Sequence, residues 1–424
     1  MRNKLIYLVA LILLVVPLYP KFPLVGVSGT FVAVRLEDIL IAVVVAIWGI
    51  ANIKSWRQIT GEPINRAILL YWAAGAVATF GAIFVTKTAD MQQGVLHLLR
   101  RVEYMSLFVV ASSVLQTKEQ LAWLAKVLVM VAAIVACYGV GQLLLNFPVI
   151  STNNSEFSKG LALTLGPGAR INSTFAGHYD LAAYSLFPIL LLVGLLTLPG
   201  KNKLALIGVG ALTYWAMLLS ASRATFAAVI ITVSLFLWQL RKKTWLAVWI
   251  IIVAASVWLS PQLVGRYKEL IVNQLLTTVS PVSAQVDTEV ADALKPPAQP
   301  EDRSFNIRLK VEWPRALRAI VKNPVIGTGF SSVGLAVDND YLRSLAETGI
   351  LGTAALVLVF IRVFQSLLAK SKASGLPQIF AQAVMWGVVG LLINAVFIDV
   401  FEASKVAIMT WTLLGLAIRA KSLA

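Results

Sequence analysis

Apolar residues fall in long blocks separated by short polar connections, and the blocks are too long for the core of a soluble domain. A bilayer crossing needs about 20 mostly apolar residues. That ruler finds twelve blocks, near 4–20, 36–53, 65–86, 98–116, 121–145, 179–199, 203–221, 223–240, 244–260, 344–366, 378–398 and 403–420. Lipid offers no hydrogen-bond partner to the backbone, so each block is predicted to be a helix. The fourth carries Arg100, Arg101 and Glu103 near its start, charges that must face protein or water. The opening MRNKLIYLVALILLVVPLYP has the charge and apolar core of a signal peptide, but no small-x-small cleavage site follows it. It is expected to be an uncleaved first helix.

Two connections are long. One is 146–178, FPVISTNNSEFSKGLALTLGPGARINSTFAGH, and the other is 261–343. Within the second, QLVGRYKELIVNQLL has the pattern of an amphipathic helix lying on the membrane interface. TTVSPVSAQVDTEVADALKPPAQPED, with its small residues and prolines, is expected to be flexible. Residues 304–322 are helical again, with a kink expected at Pro314. The predicted fold is an all-α polytopic membrane protein of about twelve transmembrane helices with a long, partly helical extracytoplasmic loop. Its parts are 1–260 (helices one to nine), 261–343 (the loop) and 344–424 (helices ten to twelve), forming one integrated domain.

Composition agrees. Of 424 residues 58% are hydrophobic and 13% charged, against about 25% charged in soluble domains. A net charge of +16 would point to nucleic acid in a soluble protein. Here the basic residues gather in every second connection: Arg2 and Lys4; Lys54, Arg57 and Arg66; Lys118; Lys201 and Lys203; Arg241, Lys242 and Lys243; Lys370 and Lys372; Arg419 and Lys421. That alternation puts both termini in the cytoplasm, and no nucleic acid partner is expected. The single cysteine, Cys137, excludes an intrachain disulfide. The sequence shows no His/Glu metal spacing, Walker loop or nucleophile elbow, and no inverted repeat of the transporter kind. The Gly-Thr-Gly at 327–329 reads as a turn after the amphipathic helix.

Chemistry concentrates in residues 303–352, a long polar stretch in an apolar chain. Arg170, Arg223, Arg308 and Arg343 fall on the outer side of the predicted topology. A guanidinium is always charged and presents a planar fork of donors, which suits phosphate. Arg223 opens a helix after an almost loopless turn, with Ser222 as its cap, where a helix N-terminus already favours anions. The competing reading is that these arginines snorkel to lipid headgroups.

Asp338 is expected to cap the helix that begins DNDYLRSLAETGILG, and Asp340, Arg343 and Glu347 share one helical face, with Arg343 and Glu347 able to pair. An ionisable face entering a membrane helix is a candidate functional site. A carboxylate there can act as general base toward a sugar hydroxyl. The alternative is that Asp338 only caps and the Arg343–Glu347 pair only locks the helix. His178 and Tyr341 complete the secondary candidates; a lone histidine near an interface is more often structural than catalytic.

Four blocks carry a resemblance. RINSTFAGHYDLAAY, SASRATF, RLKVEWPRALRAIVKNPVIGTGF and DNDYLRSLAETGILG resemble, in order, the arginine–Thr-Phe block, the Ser-Arg turn, the Arg…Trp…Asn-Pro…Gly-x-Gly block and the His-Asn-x-Tyr-Leu…Glu-x-Gly block of the O-antigen ligase and O-antigen polymerase superfamily. They cover about 170–352. The resemblance implies a GT-C-like membrane glycosyltransferase acting at the extracytoplasmic face of the cytoplasmic (inner) membrane. It implies transfer of a glycan from an undecaprenyl-diphosphate carrier to an acceptor hydroxyl on a glycan, lipid or protein, without cofactor or metal. Arg170, Arg223 and Arg308 are the implied diphosphate ligands. Asp338 stands where the family has histidine, and is the implied base. The alternative function is a transporter or flippase of an anionic lipid or polysaccharide precursor. Such a protein should place its charges near the bilayer midplane, whereas here they concentrate at one face.

Overall fold

The computed structural model describes residues 5–26, 33–149, 165, 169–200, 202–259, 307–334, 337–370 and 373–423. The predicted interfacial helix and the proline-rich segment of 261–306 lie outside them.

The first helices are α1 (Leu5–Leu18), α2 (Leu36–Asn52), the short α3 (Trp56–Gly61), α4 (Pro63–Gly81), α5 (Met91–Val114) and α6 (Lys118–Leu144). Then come α7 (His178–Leu196), α8 (Lys203–Leu219), α9 (Arg223–Gln239) and α10 (Lys243–Leu259). A π-turn over Arg308–Glu312 leads into α11 (Trp313–Lys322), followed by α12 (Asp340–Leu368), α13 (Leu376–Asn394) and α14 (Ser404–Ala420). Six of the described helices or helix runs are long and apolar enough to cross a membrane, and α1, α8, α9 and α10 are shorter apolar helices. The protein is a multi-pass, mostly helical membrane protein.

One departure from an all-helical chain is a small antiparallel hairpin, β1 (Pro23–Gly26) with β2 (Ala33–Arg35). Too short for the hydrophobic ruler, these strands pair by backbone and leave Leu24 and Val25 exposed.

Local chemistry sets the helix starts. Asp90 accepts from the Gln93 N–H at α5, and Thr117 and Gln120 form a capping box at α6. Asn339, in extended backbone, accepts from the Leu342 N–H at 2.9 Å and caps α12. The cap is therefore Asn339 and not Asp338, which the sequence had favoured: Asp338 sits one residue too early, at φ 51°, and its side chain turns away from the helix. Pro314 also differs from expectation. It lies in the first turn of α11, where its missing N–H costs little, and the widened π-turn just before it takes up the change.

Among the described residues the bundle has one large core, from Leu5 to Leu423, and a small second cluster of Ala316, Val333, Val337 and Ala346. Helix α14 runs along α5, α12 along α4, and α13 against α7 and α9. Two polar ties fix the site end. Lys405, fully buried on α14, donates to the carbonyls of Tyr19 (2.6 Å) and Thr174 (2.8 Å). It thereby fastens the end of α1 to the segment that enters α7. The second tie is a break in α12. Gly349 has φ 61° and ψ −169°, a conformation essentially reserved for glycine. There Ile350 and Leu351 donate to Pro324 and Val325, while Thr328 and Gly329 donate to Ala346 and Glu347. A Cβ on Gly327 would lie 2.4 Å from the Glu347 carbonyl oxygen, and one on Gly349 2.4 Å from that of Val325. The Gly-Thr-Gly turn is thus a backbone dock for the break in α12.

Candidate functional site

The charged residues meet at one end of the bundle. Asp340 N–H donates to the Ala395 carbonyl (2.9 Å), and Thr225 on α9 donates to Asn394 Oδ1 (2.8 Å). The starts of α9 and α12 and the end of α13 therefore lie together. Arg223 stands at that end, on an N-terminus capped by Ser222 through the Thr225 N–H at 3.4 Å.

Asp399, in the connection between α13 and α14, organises the loop ahead of α12. Its carboxylate accepts the consecutive N–H groups of Val337, Asp338 and Asn339, each at 3.0 Å, and the Arg343 guanidinium at 2.8 Å. Burial acts to raise its pKa, but Arg343 and those backbone donors outweigh it and hold the carboxyl below its usual range. Arg343, 3% exposed, also donates to Glu347 Oε1 at 3.2 Å, and Glu347 in turn accepts the Ser331 N–H at 3.1 Å. The Arg343–Glu347 pair foreseen from the spacing forms, as part of a buried brace.

With its backbone held by Asp399, Asp338 projects to Arg308. Arg308 Nε and Nη2 both reach Asp338 Oδ2 at 2.8 Å. Burial pushes the Asp338 carboxyl above its usual value, against the opposing pull of Arg308. Glu312, one turn on, is likewise raised, first by burial and then by the Asp338 charge. Burial works to lower the Arg308 pKa, but the Asp338 charge overrides it and keeps the guanidinium firmly protonated.

The Arg308 guanidinium lies over the Tyr179 ring, 5.9 Å from its centre. Tyr179 neighbours His178, whose Nε2 is 2.9 Å from Arg170 Nη1. Two arginines from distant segments, Arg170 and Arg308, are therefore linked through the first residues of α7. The next residue, Asp180, pairs with Lys21 at 3.8 Å. Burial lowers the Lys21 pKa to about 8.

A groove of about 470 Å³ runs from Asp340, Tyr341 and Ser344 down the apolar side of α12 past Phe360 and Phe364. Tyr341 donates to the Leu392 carbonyl at 2.7 Å, closing one wall. Its lining is mostly apolar, with Asp340, Tyr341 and Ser344 at the start of α12 and Thr353 and Gln365 further along. Among the described residues no group of three His, Cys, Asp or Glu side chains has the geometry to hold a metal ion.

Sequence reading missed Asp399, Tyr179 and Lys405. Asp399 is a single acid in an apolar connection, about 60 residues from the loop it holds, and no spacing rule links the two. Tyr179 is the first residue of a predicted span, and nothing in its sequence context points to Arg308. Lys405 had a usable signal, a cation just inside a predicted apolar helix, which must find a partner.

Fold and site together define a multi-pass membrane protein with an ionic cluster ahead of α12 and a mostly apolar groove along that helix. Residues 207–357 match the O-antigen ligase family, and the match supports the O-antigen ligase/polymerase superfamily that the motifs resemble. It covers Arg223, Arg308, Asp338 and Arg343 and leaves out Arg170 and His178. The family supports an O-antigen ligase-like, glycosyltransferase-type role in polysaccharide biosynthesis, with a lipid-linked glycan as substrate. No curated protein matches the chain.

Proposed function

We propose that the protein transfers a glycan from an undecaprenyl-diphosphate carrier to an acceptor hydroxyl, with Asp338 as general base and Arg170, Arg223 and Arg308 as diphosphate ligands. The observation that carries this reading is the link from Arg170 through His178 and Tyr179 to Arg308 and Asp338. It supports the reading by joining phosphate-type donors to a carboxylate, and the apolar groove along α12, which begins two residues on at Asp340, is suited to a prenyl chain.

In this mechanism the acceptor oxygen attacks the anomeric carbon, the bond from that carbon to the diphosphate oxygen breaks, and undecaprenyl diphosphate leaves with the bonding pair. The acceptor proton passes to Asp338. Diphosphate is already a good leaving group, so positioning and charge neutralisation supply most of the catalysis. The arginines can carry that neutralisation without a metal. The raised pKa of Asp338 suits a base, since a carboxylate of higher pKa accepts a proton more readily. Asp340 and Tyr341, at the mouth of the groove, are placed to meet the first prenyl units or the acceptor.

We extend the reading to twelve membrane spans in one integrated domain, both termini cytoplasmic, and the site on the extracytoplasmic face of the cytoplasmic membrane. The alternation of basic connections supports this.

The test is glycan transfer from a synthetic undecaprenyl-diphosphate oligosaccharide by purified protein in nanodiscs. Ladders from donor alone identify a polymerase, and product only with added acceptor identifies a ligase. Absence of product over a panel of glycan, lipid and protein acceptors, together with movement of the donor between leaflets, would replace this reading with transport.

A further inference from the structure

Arg308 cannot hold a diphosphate and Asp338 in the same way at once. Its Nε and Nη2 edge converges on one oxygen, Asp338 Oδ2, and among the described residues no hydrogen bond falls on Oδ1. A guanidinium edge binds best when its two N–H groups meet two oxygens in parallel, as a phosphate offers. The resting contact is thus the weaker use of that edge.

The two partners also differ in freedom. The Arg308 side chain is 10% exposed and that of Asp338 29% exposed. Asp338 has its backbone pinned by Asp399, so its carboxylate can leave Arg308 by side-chain rotation alone. Arg308 lies over Tyr179, at the first turn of α7, and a cation over an aromatic ring keeps that attraction whichever anion it holds.

Building on the proposed transfer reaction, we propose that Arg308 is exchanged between two anions: it holds the Asp338 carboxylate at rest, the donor's diphosphate displaces that carboxylate, and Tyr179 is the positioning residue that keeps the guanidinium still meanwhile. The base is then released by donor binding. Before the donor arrives Asp338 is tied up in an ion pair. Once displaced it is a solvent-facing carboxylate beside the reacting centre, with Arg308 on the leaving group. Glu312, Asp399 and Arg343 are the other charged groups whose fields reach Asp338. Asp399 and Arg343 neutralise one another, and Glu312 favours moving negative charge away.

The test measures binding of undecaprenyl diphosphate to the full-length protein in nanodiscs. Removing the competing carboxylate should tighten it, so Asp338→Asn should bind the carrier about tenfold more tightly while transfer is lost. Glu312→Gln removes a nearby negative charge without touching the Arg308 pair and should change affinity by no more than about twofold. Wild-type affinity should also rise as pH falls through the Asp338 ionisation, because a protonated carboxyl no longer competes, and Asp338→Asn should lack that rise. For Tyr179, the leucine variant should raise KM about five- to tenfold with the pH profile of kcat unmoved, and Tyr179→Phe, which keeps the ring but loses the hydroxyl beside Arg308, should restore part of KM.

Asp338→Asn tightening no more than Glu312→Gln, together with a flat wild-type pH dependence of binding, would overturn the exchange. If Arg308→Gln weakens carrier binding in that same series, the proposed transfer reading survives and only the exchange falls. If Arg308→Gln leaves carrier binding unchanged, the diphosphate role of Arg308 falls and the exchange with it. Tyr179→Leu leaving KM at the wild-type value would remove Tyr179 from the positioning role.

Discussion

Asp399 lies 2.8 Å from Arg343, and that contact determines where Asp338 points. Arg343 keeps Asp399 ionised, and the ionised carboxylate collects the N–H groups of residues 337–339. The collected loop places Asp338 in left-handed backbone, facing Arg308. A buried brace and a half-buried candidate base are therefore one assembly.

Breaking the brace should unfold the site before it changes the chemistry. Asp399→Asn leaves the Arg343 charge undercompensated, and losing one partner of a buried pair costs about 3 kcal/mol. The fall should show in thermal unfolding of the purified protein. Because the Asp399 pKa is depressed in the fold, its contribution is fully present above the unfolded value of an aspartate. It is lost only as pH falls through the lower folded value. Wild-type stability should therefore drop at strongly acidic pH, with a smaller drop in the variant.

Asp338 predicts the opposite displacement for activity. Burial raises its pKa, and a base works only when ionised, so transfer should decline as pH falls through a value above about 4, the ordinary range for aspartate. In a pH–rate profile measured with saturating donor, the acid limb should lie at milder pH than that range. A limb at or below the ordinary value would take Asp338 out of the base role.

Arg223→Lys keeps the charge at the start of α9 but loses the planar fork. Donor KM should rise about tenfold while thermal stability stays near wild type, since Ser222 still caps the helix. Unchanged kinetics would place Arg223 outside the donor site.

Gly349→Ala tests the dock between α12 and the Gly-Thr-Gly turn. A side chain there meets both a disfavoured φ of 61° and the Val325 carbonyl at 2.4 Å. A loss of at least about 2 kcal/mol is expected, visible as lower folded yield and melting temperature. Wild-type behaviour would mean that the turn and the break do not depend on each other.

Much of the helical framework was legible, because lipid imposes a length and an apolarity that single residues report directly. Block edges were close: 36–53 became Leu36–Asn52, and 223–240 became Arg223–Gln239. The Arg343–Glu347 pair was legible for the same reason, since helical spacing fixes which side chains meet. Partnerships across the bundle were hidden. Nothing local ties Asp399 to residue 338, Tyr179 to Arg308 or Lys405 to Tyr19, because such pairs follow from how helices pack. The cap of α12 was misplaced by one residue because Asp338 and Asn339 both suit that role by type. The choice fell to Asn339 once distant Arg308 and Asp399 had engaged the side chain and backbone of Asp338.

The break at Gly349 turns α12 into a depth gauge. Below it, Ile350–Leu368 is the remainder of a 29-residue helix. At 1.5 Å per residue those residues extend about 28 Å, close to the roughly 30 Å of a bilayer's hydrocarbon layer. On that span the turn that begins at Asp340 falls at headgroup level, with the Gly327 loop beside it. In the proposed reaction a carrier diphosphate would sit at that same height, and would reach the arginines by sideways drift without leaving the bilayer.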